Sequence, residues 1–268
     1  MKLDDHNFSF LPGPDGWEFW HSQDCPEPST ISQCVQAGLS SAVEVFKEDG
    51  KRWVYRLSSG IGQQFIVKTN LLPRLKDKFR ARSFAPEELT CHLQAVHRGI
   101  PAPKVYAFFS RRKWGLTVQN GLIIEYLQNF RALANTETLR MLPAFVMLYQ
   151  KGINHPDFMH RNFMLNDDAG CWEIIDLEKC AFLASPSLLS LLLMLARNVE
   201  YGELGISHPV NQSLIQELYP ALGEIKLSYQ NFQRAIEIIA SKHRSSKDRQ
   251  RIAFPAELQI LCDKSLII

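Results

Sequence analysis

Cysteine is sparse and dispersed in this chain. Cys25, Cys34, Cys91, Cys171, Cys180 and Cys262 form no C-x-x-C pair, and the opening Met1-Lys2-Leu3-Asp4-Asp5-His6 lacks the basic stretch and apolar run of a secretory signal. Reduced thiols in a cytoplasmic protein are therefore expected. A large excess of one charge is missing too: a formal net charge of +2 over 268 residues gives no general attraction for nucleic acid, so any basic partner surface must be local. Long apolar runs are absent. The most apolar stretch, Leu188 to Ala196, is too short to cross a bilayer and reads as a buried helix, or as a surface resting on lipid. His92 and His97 have no partners at metal-ligand spacing and are expected at the surface.

What is present is a chain able to bury a full core, 46% hydrophobic and 22% charged, with one stretch dense in chemistry. His155-Pro156-Asp157-Phe158-Met159-His160-Arg161-Asn162 precedes two short apolar runs separated by the turn signal Asn166-Asp167-Asp168-Ala169-Gly170. This pattern predicts a β-hairpin with strands near 163–165 and 171–175, which brings Asn162 and Asp176 to the same open end. An amide and a carboxylate oxygen placed so suit a hard cation such as Mg²⁺, which keeps waters and substrate phosphates in its remaining positions. Asp157, five residues before Asn162, is close enough to take a proton from an attacking hydroxyl. Together these residues make a phosphoryl-transfer site.

The spacing His-x-Asp-x-x-x-x-Asn, then a hairpin, then a strand-terminal Asp, resembles the catalytic loop and metal-binding Asp of the protein kinase fold. Leu148-Tyr149-Gln150-Lys151-Gly152-Ile153-Asn154-His155 extends the likeness. More narrowly, Ile175-Asp176-Leu177-Glu178-Lys179 and Gly99-Ile100-Pro101-Ala102-Pro103 resemble the bacterial lipopolysaccharide core kinases of the InaA/WaaP type, which phosphorylate heptose or Kdo sugars. The resemblance covers roughly residues 45–195. It implies an α+β, two-lobed protein kinase-like fold: residues 1–127 as a lobe built on an antiparallel sheet, with an irregular aromatic and proline-rich leader over 1–37, and residues 128–268 as a mainly helical lobe. It also implies ATP and Mg²⁺ as cofactors, Asp157 as the base and Asn162 and Asp176 as metal ligands.

Other positions take their roles from the same resemblance. Alternating apolar residues predict strands around Val43–Val45, 53–57 and 65–69. Lys68, at the end of the third, stands where kinases keep the Lys for the α- and β-phosphates; a solvent-facing strand-end Lys is the other reading. Glu87-Glu88 opens a helix to about Arg98 with Leu89, Leu93 and Val96 on one face. Glu88 has the spacing of the helix carboxylate that pairs with that Lys, with Glu87 as competitor. Strands near 104–109 and 121–127 complete the sheet, and the backbone around Glu125 and Leu127 would take the adenine edge. Thr136 caps a helix running to Lys151, with Leu139, Leu142, Val146 and Tyr149 facing inward, and Gly152 closes it. Helices are expected at 188–196, 211–218 and 229–241.

Several features depart from the kinase pattern. Phe46-Lys47-Glu48-Asp49-Gly50-Lys51-Arg52 offers one glycine where a phosphate-cradling loop has several. Either Lys47, Lys51 or Arg52 substitutes by charge, or the segment is an exposed hairpin. Pro156 replaces the Arg that reads a phosphorylated activation loop, and Leu177-Glu178 follow the metal Asp, which points to an unregulated small-molecule or glycolipid kinase. Arg161 could reach an anionic substrate, whereas His155 fits a structural role. Two basic series, Arg74, Lys76, Lys78, Arg80, Arg82 and Lys242, Arg244, Lys247, Arg249, Arg251, suit a phosphorylated lipopolysaccharide core glycolipid or an anionic membrane surface at the cytoplasmic face of the inner membrane, or are solvated faces. Two other readings stay open: a kinase of a soluble small molecule, and a pseudokinase that binds partners.

Overall fold

A computed structural model describes residues 8–73, 84–201, 205, 207–223, 225 and 227–242. The basic series at 74–82 lies outside the described residues. So do residues 244–251 of the second series and the side chain of Lys242. Contacts group Met1–Leu93 with Ala102–Gln128 as one compact unit, and Gln94–Pro101 with Asn129–Ile268 as another.

The first unit is built on a seven-stranded sheet. In chain order it carries β1 (Phe8–Pro12), β2 (Trp17–Ser22), helix α1 (Pro28–Ala37), β3 (Glu44–Glu48), β4 (Arg52–Ser58), β5 (Gln64–Leu71), helix α2 (Phe84–His97), β6 (Val105–Lys113) and β7 (Leu116–Glu125). The spatial order is β1-β2-β6-β7-β5-β4-β3, and every pairing is antiparallel. The leader is therefore no separate appendage. Its aromatics alternate along β2, so that Trp17, Phe19 and His21 turn inward and add to the sheet's core.

Both faces of the sheet are covered, and strand parity decides what goes where. Phe65 and Val67 of β5, Phe109 of β6 and Ile123 of β7 pack with Ile31 and Val35 of α1. Leu122 and Ile124, with Phe108 and the partly buried Ile66, pack with Leu89 of α2 on the opposite face. Each fully buried Leu or Phe contributes about 2 kcal/mol. Lys68 shares the parity of Ile66, so it emerges on the α2 face. Gly121 opposes Thr69 in the β5–β7 register, and a Cβ there would lie 2.1 Å from the Lys68 carbonyl oxygen and 2.5 Å from the Phe109 ring. Only glycine lets the strand carrying Lys68 come this close.

Two helices differ from expectation. α2 begins at Phe84 rather than after Pro86, since proline is tolerated in a first turn. Its buried face is Glu88, Leu89, His92 and Ala95, while Val96 is exposed. His92 is thus a core residue, correcting the surface expectation; His97 is exposed. The segment expected as one helix from Thr136 instead starts as a 3₁₀ stretch, Asn135–Met141, and becomes α-helical only at Leu142. Pro143 is the reason: it lacks the N–H that an earlier helix would need, and its ring would meet the carbonyl of residue 139. Met141, Ala144, Phe145 and Leu148 form the inward face, and Leu139 is exposed.

The second unit contains short strands and helices: β8 (Arg131–Ala132), α3 (Leu142–Gln150), β9 (Ile153–Asn154), β10 (Phe163–Asn166), β11 (Cys171–Ile174), β12 (Ala181–Phe182), α4 (Leu188–Tyr201), α5 (Pro209–Ala221) and α6 (Tyr229–Lys242). The hairpin β10–β11 forms as expected, with β8 added along its outer edge and Gly170 in the left-handed region. β8 is a two-residue strand for which the sequence reading predicts no element. Arg131 of β8 donates to Asp167 in the hairpin turn at 2.7 Å and to both oxygens of Glu137, and Arg140 donates to Asp167 at 2.6 Å. These pairs are exposed, so they fix geometry more than they add stability. Helix α4 packs on α6 and α3, and Phe145 meets Phe158 edge-on at 4.8 Å. Among the described residues no helix is long and apolar enough to cross a membrane, and the five described cysteines are free thiols.

Two predictions follow from the first unit's core. Gly121→Ala should lower stability by about 2 kcal/mol through overpacking against β5, read as a lower urea midpoint at unchanged slope. His21, whose ring lies 2.9 Å from Ser32 Oγ and 3.3 Å from Cys25 Sγ, and His92, whose Nε2–H donates to the Pro103 carbonyl at 2.6 Å, are both held neutral by burial, with pKa lowered to about 4. Below pH 6.5 the unfolded chain takes up protons that the folded chain refuses. Stability is therefore complete above that pH and falls toward pH 4, by up to about 1.4 kcal/mol per pH unit for each imidazole. Urea unfolding across this window should show the slope, and a His21→Phe, His92→Phe chain should show a shallower one.

Candidate active site

In the first unit, the parity that brings Lys68 to the α2 face sets it against the helix. Its Nζ donates to Glu88 Oε1 at 3.3 Å, with both side chains largely buried, whereas Glu87 is exposed. Helix periodicity explains the choice: Glu88 neighbours the buried Leu89 and shares a face with His92, while Glu87 lies on the far side. A buried ammonium beside a carboxylate is held in one place, which suits it to meet phosphate oxygens.

The loop between β3 and β4 has turned its amides inward. Asp49 Oδ1 accepts the N–H of Lys51 at 2.8 Å and of Arg52 at 2.7 Å, and this holds the Asp49 carboxyl below the usual carboxylate range. Lys47 pairs with Asp49 at 3.2 Å, and Arg52 donates to Asn70. The segment is an exposed hairpin turn closed on its own aspartate. At the other end of the sheet, Glu125 uses both backbone and side chain on Lys104: its N–H donates to the Lys104 carbonyl at 2.8 Å and its Oε2 accepts the Lys104 N–H at 3.1 Å. Leu127 follows, half-buried, before the tight turn in which the Gln128 N–H donates to Tyr126 O.

In the second unit, Asp157, Asn162 and Asp176 are bound into one loop system. Asn162 is buried; its Nδ2 donates to the Asp157 carbonyl at 2.7 Å and approaches Asp157 Oδ2 at 3.5 Å, and its own carbonyl accepts the Ile175 N–H at 3.0 Å. With Nδ2 committed to Asp157, Oδ1 is the acceptor atom of that side chain that could ligate a cation. Asp176 follows Ile175 directly and has φ +60°, a left-handed conformation that Asp tolerates and that takes the backbone out of the strand path. An amide oxygen and a carboxylate, without thiolate or imidazole, form a donor set for a hard cation. Among the described residues no group of three or more His, Cys, Asp or Glu could hold a metal, so such an ion would depend on further oxygens from water and substrate.

His155 is entirely buried at the centre of this system. The Asp157 N–H donates to His155 Nδ1 at 3.2 Å, which leaves the proton on Nε2, and Nε2–H donates to the Ile175 carbonyl at 3.4 Å. Burial holds its pKa below the ordinary histidine value, so the ring is neutral and structural. Arg161 reaches the Asp157 carboxylate at 3.3 Å. One residue was missed by the sequence reading: Arg197 of α4, whose Nη1 donates to the Pro156 carbonyl immediately before Asp157. The expected helix stopped at Ala196. An Arg following the apolar run was the available signal, since a cation next to a buried face needs an internal partner.

No family model and no curated protein sequence matches the chain. Among solved structures, it is similar to WaaP in complex with acyl carrier protein, with 13% sequence identity and a TM-score of 0.55 over 84% of this chain and 98% of that one. It is also similar to the amicoumacin kinase hAmiN in complex with AMP-PNP, Ca²⁺ and Ami, with 14% identity and a TM-score of 0.49 over 85% of this chain and 90% of that one. With its antiparallel sheet, its Lys68–Glu88 pair and its helical second unit, the chain has the protein kinase-like fold.

Proposed function

We propose that this protein is an ATP-dependent kinase that transfers phosphate to a sugar hydroxyl of the lipopolysaccharide core, heptose or Kdo, with residues 1–127 as the nucleotide lobe and 128–268 as the catalytic lobe. The observation that carries the reading is the bonded loop in which Asn162 holds the Asp157 carbonyl and the backbone next to Asp176. Asp176 and Asn162 would hold Mg²⁺, which when bound neutralises charge on the phosphates of ATP. Lys68 adds a second positive charge and Glu88 keeps it oriented. Asp157 orients the acceptor hydroxyl and takes its proton late, as charge moves to the leaving diphosphate. The backbone at Glu125 and Leu127 meets the adenine edge. For Glu125 this must be through its carbonyl, since its N–H is spent on Lys104.

The acceptor follows from the InaA/WaaP-like motifs and the two basic series, since a phosphorylated glycolipid calls for cations where an amine-rich soluble acceptor calls for carboxylates. The same chemistry favours a peripheral position on the cytoplasmic face of the inner membrane. A second reading, a pseudokinase that binds partners, is favoured by one observation: Asp49 occupies two amides that a phosphate-cradling loop would offer.

Dephosphorylated core oligosaccharide, ATP and Mg²⁺ incubated with the protein should gain one phosphoryl group by mass spectrometry, and fragmentation should place it on a heptose or Kdo hydroxyl. Asp157→Ala should lower turnover by about 10³-fold while leaving nucleotide binding intact. Full activity in that variant would remove Asp157 from the chemistry, and absence of both transfer and nucleotide binding in the natural chain would select the pseudokinase. Lys68→Met should lower kcat by about 10²-fold, and Glu88→Gln by less, since the amide oxygen can still receive a hydrogen bond from Lys68.

A further inference from the structure

The hairpin joining β6 and β7 ends in a two-residue turn, Trp114-Gly115, between the paired Lys113 and Leu116. Both turn residues have positive φ, +50° and +75°, the arrangement of a type I′ turn, whose first position favours Asn, Asp or Gly. A tryptophan there is conformationally costly, and it gains no packing in return: Trp114 is 99% exposed, whereas Trp17 is buried and Trp20, Trp53 and Trp172 are at least partly so. Such a conflict between local preference and residue marks a functional position more often than a structural one.

The tip is also a projection. β2 pairs with β6 only as far as Arg111, opposite Trp17, and β5 pairs with β7 only as far as Gln119, opposite Leu71. Residues 112–117 are paired in the ladder only with each other; the base is packed, with Thr117 buried and the Arg112 carbonyl against Gly16, and residues 112–115 are exposed. Its base is cationic. Arg111 stacks over the Trp17 ring at 5.3 Å, Arg112 pairs with Glu18 at 3.3 Å, and exposed Lys113 has no ion partner among the described residues. Two carboxylates, Glu18 and Asp15 of the turn packed against Arg112, face three cations, which leaves a net positive charge behind an exposed indole.

We propose that this hairpin tip is a membrane anchor, with Trp114 inserting at the headgroup level of an anionic phospholipid bilayer and Lys113 and Arg112 meeting lipid phosphates. An indole has an apolar body and one N–H donor, so its favoured place is the water–lipid boundary, and cations behind it add attraction for acidic headgroups. The proposal rests on the reading above only in taking the acceptor to be lipid-borne.

The test uses Trp114→Asn, which suits a type I′ turn better than tryptophan and should raise the thermal midpoint by roughly 3 °C, so that loss of binding cannot be ascribed to misfolding. The natural chain should sediment with phosphatidylglycerol–phosphatidylcholine vesicles and much less with phosphatidylcholine alone, and its tryptophan emission should shift to the blue. Trp114→Asn should bind the anionic vesicles about tenfold more weakly, without the shift. Equal binding by the two chains, or no vesicle binding by the natural chain, would overturn the proposal. Transfer to lipid-free core oligosaccharide, measured in parallel, should be the same for both chains. If it fails in both while vesicle binding differs, the sugar-kinase reading falls and the anchor stands.

Discussion

A neutral, fully buried imidazole joins the two chain segments on which the candidate chemistry depends. His155 accepts the N–H of Asp157 on one ring nitrogen and donates to the carbonyl of Ile175 with the other, so the position of the candidate base and that of the residue preceding Asp176 are set by one rigid ring. Neither protonation state alternative would serve. A charged ring would present N–H to N–H at Asp157, and the other tautomer would do the same while leaving the Ile175 carbonyl without its donor. Burial enforces the required form by disfavouring the cation. Asn162 repeats the device a few residues on, with its amide on the Asp157 carbonyl and its own carbonyl on the Ile175 N–H. A buried imidazole with both nitrogens satisfied, and a buried asparagine that bonds through its side-chain amide and its main-chain carbonyl, thus hold a loop that has almost no regular structure of its own.

This explains which parts of the protein could be read from sequence. The hairpin at 163–174 was legible because a five-residue turn signal separates two apolar runs, and the candidate site residues around it stood out because His155 to Asp176 spans only 22 residues. Lys68 and Glu88 could be paired by spacing, but only helix geometry separates Glu88 from Glu87. Periodicity failed where a single residue overrides it. Pro143 delays a helix that Thr136 seemed ready to cap, and the buried face of α2 runs through the polar Glu88 and His92 while apolar Val96 faces solvent. The first two strands were obscured by the prolines and glycines of their turn, although their aromatics alternate in the pattern of a half-buried strand.

The nucleotide side presents a different balance of forces. Kinase-like sites hold phosphates with backbone amides and with a buried lysine, and here the two are not equally developed. The lysine is in place, ion-paired and shielded on the inner face of the sheet. The amides of Lys51 and Arg52 are satisfied by Asp49, an anion located where a phosphate would otherwise be drawn. In the proposed kinase, opening that turn would exchange two charge-assisted hydrogen bonds for contacts to ATP, so the net gain from the loop would be small and phosphate recognition would fall more to Lys68 and the proposed metal ligands.

Arg197 addresses a related deficit on the catalytic side. Pro156 stands where the kinase-like motif carries an Arg, so no cation immediately precedes the candidate base in the sequence. A guanidinium returns to the same neighbourhood from α4, but it donates to the Pro156 carbonyl and so binds backbone. The distinction has a mechanical consequence. An arginine in the loop can respond to a phosphate arriving elsewhere on the chain, because its partner is exchangeable; one that bonds a main-chain carbonyl from a packed helix is tied to that backbone. Helix α4 is held by Leu191, Leu192, Met194 and Leu195, all buried, and Met194 itself accepts the His155 N–H through sulfur. The loop carrying Asp157 is therefore fastened to the hydrophobic core of its own unit rather than to a segment that could be modified. That arrangement suits an enzyme whose active conformation is its resting one.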